Sequence, residues 1–408
     1  MMCCARFRFF LLAFLVALLT TACGGGGTGS VAVPPVTPAL DNAVAVRVDT
    51  GPADAGYNVN RLYVDLKICR PGSAECQTVD HVLLDTGSTG LRLLSSALSP
   101  SLSLTRLTGA SGYPLLNCVQ FVDNTFAWGP MVTADIVLGG KTASNVPMQI
   151  IADPSFGVAP GSCSVGGTAT TNSANLGANG ILGLGLFRED CGADCAGTTH
   201  NGSYYTCTSA SCTNTTGARA SLAQQLTNPV TRFASDSNGF VIELPAATGA
   251  ANSLTGSLIF GIGTQANNQP TAVRALTTTA SGYFTTLLGG QSMVNSFLDT
   301  GSNGYFFDSS VVRPCTGSGA GFYCPDTPTT LSATLVGVND ARSTVLFSVG
   351  DASTMFGDAS KAVFPNLAGP MGDATSFDWG LPFFYGRRVW VGIEGQTSAL
   401  GTGPYYAF

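Results

Sequence analysis

Two seven-residue stretches hold the side chains best suited to chemistry. Leu84-Asp85-Thr86-Gly87-Ser88-Thr89-Gly90 recurs as Leu298-Asp299-Thr300-Gly301-Ser302-Asn303-Gly304, and only the sixth position differs. Two carboxylates brought together cannot both ionise cheaply, so the pair holds one proton between them. One is then a base and the other an acid over the same pH range. That pairing can set a water against an amide carbonyl with neither a metal nor a nucleophilic side chain. Asp85 and Asp299 are therefore the candidate catalytic residues. A third Asp-Thr-Gly, Asp49-Thr50-Gly51, lacks the apolar lead-in and the Ser-x-Gly that follows, and Pro52 comes next. It reads as chance in a chain rich in Gly and Thr.

Each long copy follows apolar residues (Val82 and Leu83; Phe297) and leads into more of them (Leu91, Leu93, Leu94; Tyr305, Phe306, Phe307). The expected local structure is a strand, a tight glycine-bearing turn opened by the acid, and a second strand. The rest of the chain reads the same way. Short alternating runs such as Arg61–Ile68 and Gly239–Leu244 are separated by turn residues, and charged residues are only 10 % of the chain. This is an all-β signature. Ala218 to Leu226 is the best helical candidate. The ~360 residues beyond the N-terminal region exceed one ordinary core, so two lobes are expected, at 46–264 and 265–408.

The N-terminal region reads as a secretory signal over residues 1–23. Arg6 and Arg8 precede an unbroken apolar run from Phe9 to Leu19, then Thr20-Thr21-Ala22-Cys23. Small residues ending in Cys resemble a bacterial lipoprotein processing site, with Cys23 as the lipidated residue, although Thr20 stands where Leu is usual. Residues 24–45, rich in Gly, Pro, Ala and Val, read as a flexible tether. The implied location is the bacterial cell envelope, lipid-anchored, or outside the cell, with membrane contact only through Cys23. Of thirteen cysteines, ten lie beyond this region, an even number suited to an oxidising compartment. Cys69 with Cys76 and Cys315 with Cys324 suit short staples. Cys191, Cys195, Cys207 and Cys212 cluster in a polar insert at 188–216, leaving Cys118 and Cys163 as a longer link. A zinc site in the Cys191–Cys212 cluster is the rival reading, but its spacings are not the common C-x2-C pairs. No metal and no cofactor are expected.

Other chemistries find little material. His81 and His200 are the only histidines, which rules out a His-rich metal site and supplies a Ser-His-Asp triad poorly. Gly140-Lys141-Thr142 ends like a phosphate loop, but position 135 is Asp where Gly is required. The net charge of −6 with no basic patch argues against nucleic acid.

From residue 57 to 408 the chain resembles the pepsin-like aspartic peptidases, in which two β-lobes each give an Asp-Thr/Ser-Gly loop to a cleft. The hairpin 61–84, Asn179-Gly180-Ile181-Leu182-Gly183-Leu184-Gly185, Gly256–Gly261, Gly282–Thr285 and Asp378-Trp379-Gly380-Leu381-Pro382-Phe383-Phe384 are similar to successive family segments. The resemblance implies a bilobal pepsin-like fold and a monomer that takes a peptide or protein substrate between its lobes. It makes Asp85 and Asp299 the dyad. Thr86 and Thr300 would cross-brace the loops, Ser88 and Ser302 would bond the outer carboxylate oxygens, and Gly87 and Gly301 would complete the turns. The family's flap over the substrate would fall at Trp128-Gly129 in a short hairpin tipped by Pro130, with Trp128 itself expected to pack in the core or cleft wall rather than clamp substrate. Trp379 and Phe383-Phe384 are expected in the core. His81, four residues before Asp85, would face the same side as a structural residue beneath the loop. More closely, the pattern resembles an uncharacterised proteobacterial lipoprotein family with two such loops, which implies no known activity. The alternative is a silent pepsin-fold lipoprotein that binds peptide or glycan.

Overall fold

Alternating apolar residues flanked by Gly, Asn and Asp turns form strands along almost the whole chain, and the protein is all-β. The computed structural model describes residues 41–408. The signal segment, Cys23 and most of the tether lie outside the described residues. Strand begins at Ala43, slightly before the expected end of the tether. Among the described residues no helix is long and apolar enough to cross a membrane.

The first half contributes β1 (Ala43–Val48), β2 (Leu62–Cys69), β3 (Cys76–Asp85), β4 (Thr89–Leu94), β5 (Leu115–Gln120), β6 (Thr125–Leu138), β7 (Lys141–Ile151), β8 (Gly180–Leu184), β9 (Tyr204–Cys207), β10 (Gly239–Glu243) and β11 (Leu254–Phe260). The second contributes β12 (Phe284–Leu288), β13 (Gln291–Leu298), β14 (Tyr305–Phe307), β15 (Thr329–Val336), β16 (Arg342–Val349) and β17 (Ser376–Trp379), followed by β18 (Arg388–Gly392) and β19 (Tyr405–Ala407). Strands β12 to β17 form a seven-stranded sheet of their own with Ala368–Gly369. The last two return to the first half. β18 pairs β10, with Val241 opposite Trp390, and β19 pairs β18. An antiparallel ribbon in the order β2-β1-β11-β10-β18-β19 thus joins the halves.

Each Asp-Thr-Gly loop is positioned by three strands in the same arrangement. β8 runs parallel to β3 (Ile181 opposite Leu83) and antiparallel to β4 (Ile181 opposite Arg92). β17 runs parallel to β13 (Asp378 opposite Phe297) and antiparallel to β14 (Asp378 opposite Phe306). The loop therefore crosses one intervening strand, a span of about 9.6 Å. Glycine is required where that strand passes beneath the loop. A Cβ on Gly183 would lie 2.7 Å from Thr89 N, and one on Gly380 would lie 2.7 Å from Ser302 O.

The second half is held by aromatics. Trp379 stacks on Phe377 at 4.1 Å, and Phe377 stacks on Phe307 at 4.8 Å. Trp379, Phe383 and Phe384 are fully buried, as expected of core residues. The ten cysteines form Cys69–Cys76, Cys118–Cys163, Cys191–Cys195, Cys207–Cys212 and Cys315–Cys324. The zinc alternative falls with these pairings, because all four insert sulfurs are spent in disulfides. Five disulfides fit a secreted or envelope protein.

Three expectations need correction. Ala218–Leu226 carries only a short 3-10 turn, Leu222–Gln224. Gln225 amide hydrogens bond Gly192 O and Ala220 O, fixing an extended course. Trp128 and Gly129 stand mid-strand in β6, and the β5–β6 hairpin turns at 121–124 instead. Trp128 is buried, donates Nε1–H to Phe156 O at 3.0 Å and meets Tyr205 edge-on. Gly129 is needed because a Cβ would collide with the Ile150 carbonyl. Pro130 stands where β6 stops pairing with β5 and starts pairing with β7, a place where a missing N–H costs little. His81 adopts φ 46° beside a bulge in β3, so simple alternation fails there. Its ring reaches Asp80 (3.0 Å) and Asp49 (3.5 Å) and does not face Asp85.

Candidate active site

Within each loop the aspartate first satisfies its own turn. Gly87 N donates to Asp85 Oδ1 at 2.7 Å and Gly301 N donates to Asp299 Oδ1 at 2.7 Å. Ser88 Oγ donates to Asp85 Oδ2 at 2.5 Å and Ser302 Oγ to Asp299 Oδ2 at 2.8 Å. The third copy makes the same local turn, with Gly51 N donating to Asp49 Oδ1 at 2.8 Å. There the resemblance stops, because Asp49 spends its charge on Arg47 and His81. Asp-Thr-Gly thus encodes a turn, and its surroundings decide whether that turn becomes a site.

The two long copies are braced to each other. Thr86 N donates to Thr300 Oγ1 (3.1 Å) and Thr300 N donates to Thr86 Oγ1 (3.0 Å). Each threonine hydroxyl then passes its hydrogen across, Thr86 to Leu298 O (3.0 Å) and Thr300 to Leu84 O (2.7 Å). All four bonds are buried and satisfy groups that would otherwise be stranded. The brace brings the carboxylates face to face. A Cβ on Gly87 would lie 2.8 Å from Asp299 Cγ, and one on Gly301 would lie 2.7 Å from Asp85 Oδ1. Asp85 and Asp299 are 7 % and 8 % exposed, so each is nearly desolvated yet touches solvent at the loop crest. Burial, and then the facing Asp85 charge, push the Asp299 carboxyl up to about 8. The arrangement therefore holds a proton between the two carboxyls.

Polar residues behind the loops were not anticipated from the sequence. Behind Asp85, Arg92 is 2 % exposed. Its Nη1 donates to Thr89 O at 2.9 Å, and its Nη2 stands 3.7 Å from Asp190. Asp190 accepts from Tyr204 (2.6 Å) and Asn117 (3.3 Å). Burial pulls the Arg92 guanidinium down from its ordinary value, opposed by Asp190, Tyr204 and Asp85. Burial likewise pushes Asp190 up, opposed first by Arg92. Both directions indicate that desolvation exceeds the attraction across this long pair. Arg92 Nε, Asn117 Oδ1 and Gln149 Oε1, all in this polar cluster, have no hydrogen-bond partner. Behind Asp299 lies Asp378, 1 % exposed, with Oδ1 also unpartnered. Burial first, and then the Asp299 charge, hold its carboxyl well above the usual range. The available signal for both was a charged residue inside an apolar run, Leu91-Arg92-Leu93 and Phe377-Asp378-Trp379.

Of the expected site residues, Asp85, Thr86, Gly87, Ser88, Asp299, Thr300, Gly301 and Ser302 converge, while Trp128 and Gly129 pack elsewhere and Cys23 lies outside the described residues. No curated protein matches the chain. A family model matches residues 38–408, nearly the whole chain, so this protein belongs to the family described as protein of unknown function (DUF3443).

Proposed function

We propose that the protein is a pepsin-like aspartic endopeptidase, exported and anchored through Cys23, with Asp85 and Asp299 as its dyad. The observation that carries this reading is the reciprocal Thr86–Thr300 brace, which sets two carboxyls face to face at one solvent-touching point. No arrangement so exacting is needed merely to close a turn, as Asp49 demonstrates.

In the mechanism a water lies between the carboxyls. Asp85, ionised and within the field of Arg92, takes a proton from that water as its oxygen bonds the scissile carbonyl carbon. Asp299, protonated, gives its proton to the carbonyl oxygen, forming a neutral tetrahedral diol. A proton then passes from Asp85 to the amide nitrogen, the C–N bond breaks, and the second diol proton returns to Asp299 as the acid product forms. The glycine and serine donors hold both carboxylates in the orientation this exchange needs.

The test is hydrolysis of an unbiased peptide mixture from about pH 3 to pH 8, since a dyad works only while it shares a single proton. Cleavage should fall ~10³-fold or more in Asp85→Asn and in Asp299→Asn, and a statine-type inhibitor should abolish it. Activity should extend toward neutral pH and fail as Asp299 loses its proton near 8. Absence of cleavage by folded, disulfide-intact protein at every pH would overturn the proposal in favour of a peptide- or glycan-binding protein.

A further inference from the structure

Each loop is pinned at a second place besides the threonine brace. The sixth position, where the two stretches differ, is held by its backbone carbonyl and not by its side chain. In the first loop Arg92 Nη1 donates to Thr89 O at 2.9 Å. In the second, Asn60 Nδ2 donates to Asn303 O at 2.8 Å. Both donors are buried polar side chains, Arg92 being 2 % exposed and Asn60 0 %. Because the backbone takes the bond, the side chain at this position is free to be Thr in one loop and Asn in the other.

The two donors come from different places. Arg92 is on β4, three residues beyond Thr89. Asn60 lies between β1 and β2, 243 residues before Asn303, so one half reaches across to hold the loop of the other. The segment that carries Asn60 is docked on the second half. Tyr57 Oη donates to Lys361 O at 2.8 Å, and Asn60 N donates to Ala362 O at 2.7 Å. The Asn60 amide is fully used. Nδ2 also donates to Phe364 O at 2.8 Å, and Oδ1 accepts from Phe364 N and Tyr385 Oη, each at 2.8 Å. Two donor hydrogens and two acceptor lone pairs meet four partners, which sets the orientation of the amide. The backbone of Asn60 has φ 49°, a left-handed conformation that Asn tolerates better than most residues.

We infer that Asn60 is a positioning residue for the Asp299 loop, doing from the opposite half what Arg92 does within its own. The brace fixes the third position of the loop and the Asn60 bond fixes the sixth. Ser302, the fifth, whose hydroxyl donates to Asp299 Oδ2, is thereby held from both sides. Asn60 has no exposed surface, so it acts through the loop and not on substrate. The inference rests on the dyad reading for its catalytic consequence only.

The test is amide hydrogen exchange of the folded full chain, which needs no substrate. Asn60→Asp keeps the shape and the acceptors but presents oxygen to Asn303 O and Phe364 O. Exchange at Gly301, whose amide bonds Asp299, should accelerate about ten-fold or more, and much less at Gly87 or across the β10–β18 ribbon. Unchanged exchange at Gly301 would overturn the inference. Equal acceleration at Gly301, Gly87 and the ribbon would overturn it too, by reducing Asn60 to a general packing residue. Should Asn60→Asp fail to fold, Asn60→Gly accepts φ 49° without strain and is read in the same way. Where turnover is measured, the variant should lower kcat about ten-fold with KM nearly unchanged, and an effect confined to KM would contradict a positioning role. A wild-type protein that cleaves nothing would end the peptidase reading and leave the exchange result standing.

Discussion

Behind Asp85 the central strand offers Ile181, flanked by Leu83 and Arg92; behind Asp299 the same three places hold Asp378, Phe297 and Phe306. The strand directions, the spacing from each aspartate and the turn bonds are alike in the two halves. The difference is in charge. One half places a buried cation within the field of its carboxylate, and the other places a buried acid against its own. A symmetric pair of loops would leave the shared proton without a preferred side. Here burial and the facing Asp85 charge raise the Asp299 carboxyl, while Arg92 sets a cation in the field of Asp85. Similar loops can therefore lie in different electrostatic surroundings with nearly the same residues of their own.

The comparison can be broken most forcefully at Arg92. Arg92→Met leaves Asp190 buried without its cation and should cost about 3–5 kcal/mol of stability. Urea unfolding measures the loss, and adding Asp190→Leu should recover much of it. The braces should instead prove nearly equal. Thr86→Val and Thr300→Val each strand a buried N–H and a buried carbonyl, so each should cost about 2 kcal/mol or more. The double variant should lose less than the sum, because each hydroxyl completes the other half's loop. A large inequality between the single variants would show that one loop, not the pair, carries the brace.

The smallest effect is the most diagnostic of charge. Asp299 and Asp378 both have folded-state values raised above the usual carboxylate range. The folded protein thus holds protons that the unfolded chain releases. Their contribution is fully present below about pH 4, where the unfolded chain is protonated too, and is lost as pH rises through the folded values. For Asp299, raised to about 8, stability should decline between about pH 4 and pH 8 by up to ~1.4 kcal/mol per pH unit, and Asp378 adds a decline of the same sign. Asp378→Leu should flatten that slope, whereas changes at Arg92 should shift the whole curve. Unfolding midpoints across pH distinguish the two.

The loops were legible in the sequence because a tight turn that begins with Asp and needs Gly is written in consecutive residues. The Asp49 copy shows how far that reading goes, since it makes the same turn and goes no further. The short cysteine links were likewise marked by proximity, such as Cys69 and Cys76 across one hairpin. What escaped notice depends on strands far away in the chain. β4 and β17 are buried along their whole length, so alternation gives no hint of which side chain faces a loop. Asp378 lies behind Asp299 only because β17 is inserted between β13 and β14. The hairpin expected at Trp128-Gly129 fails for a related reason, although Trp128 itself is packed in a core as expected. β6 is a fourteen-residue strand that changes partners at Pro130, and a local reading takes that Gly-Pro pair for a turn. The helix expected at 218–226 failed because Gln225 and Asn228 bond backbone groups outside the segment, including Gly192 O and Gly185 O.

The brace also has a consequence in time. Thr86 and Thr300 are 214 residues apart, and β10 finds its partner β18 only near the far end of the chain. In a polypeptide made from its N-terminus onward at roughly 5–20 residues per second, the first carboxylate therefore waits roughly 10–40 s for the second. During that interval the first loop has its own turn bonds and no facing acid. The facing pair thus cannot form until the second loop has been made, and the ribbon cannot close before the last strands arrive.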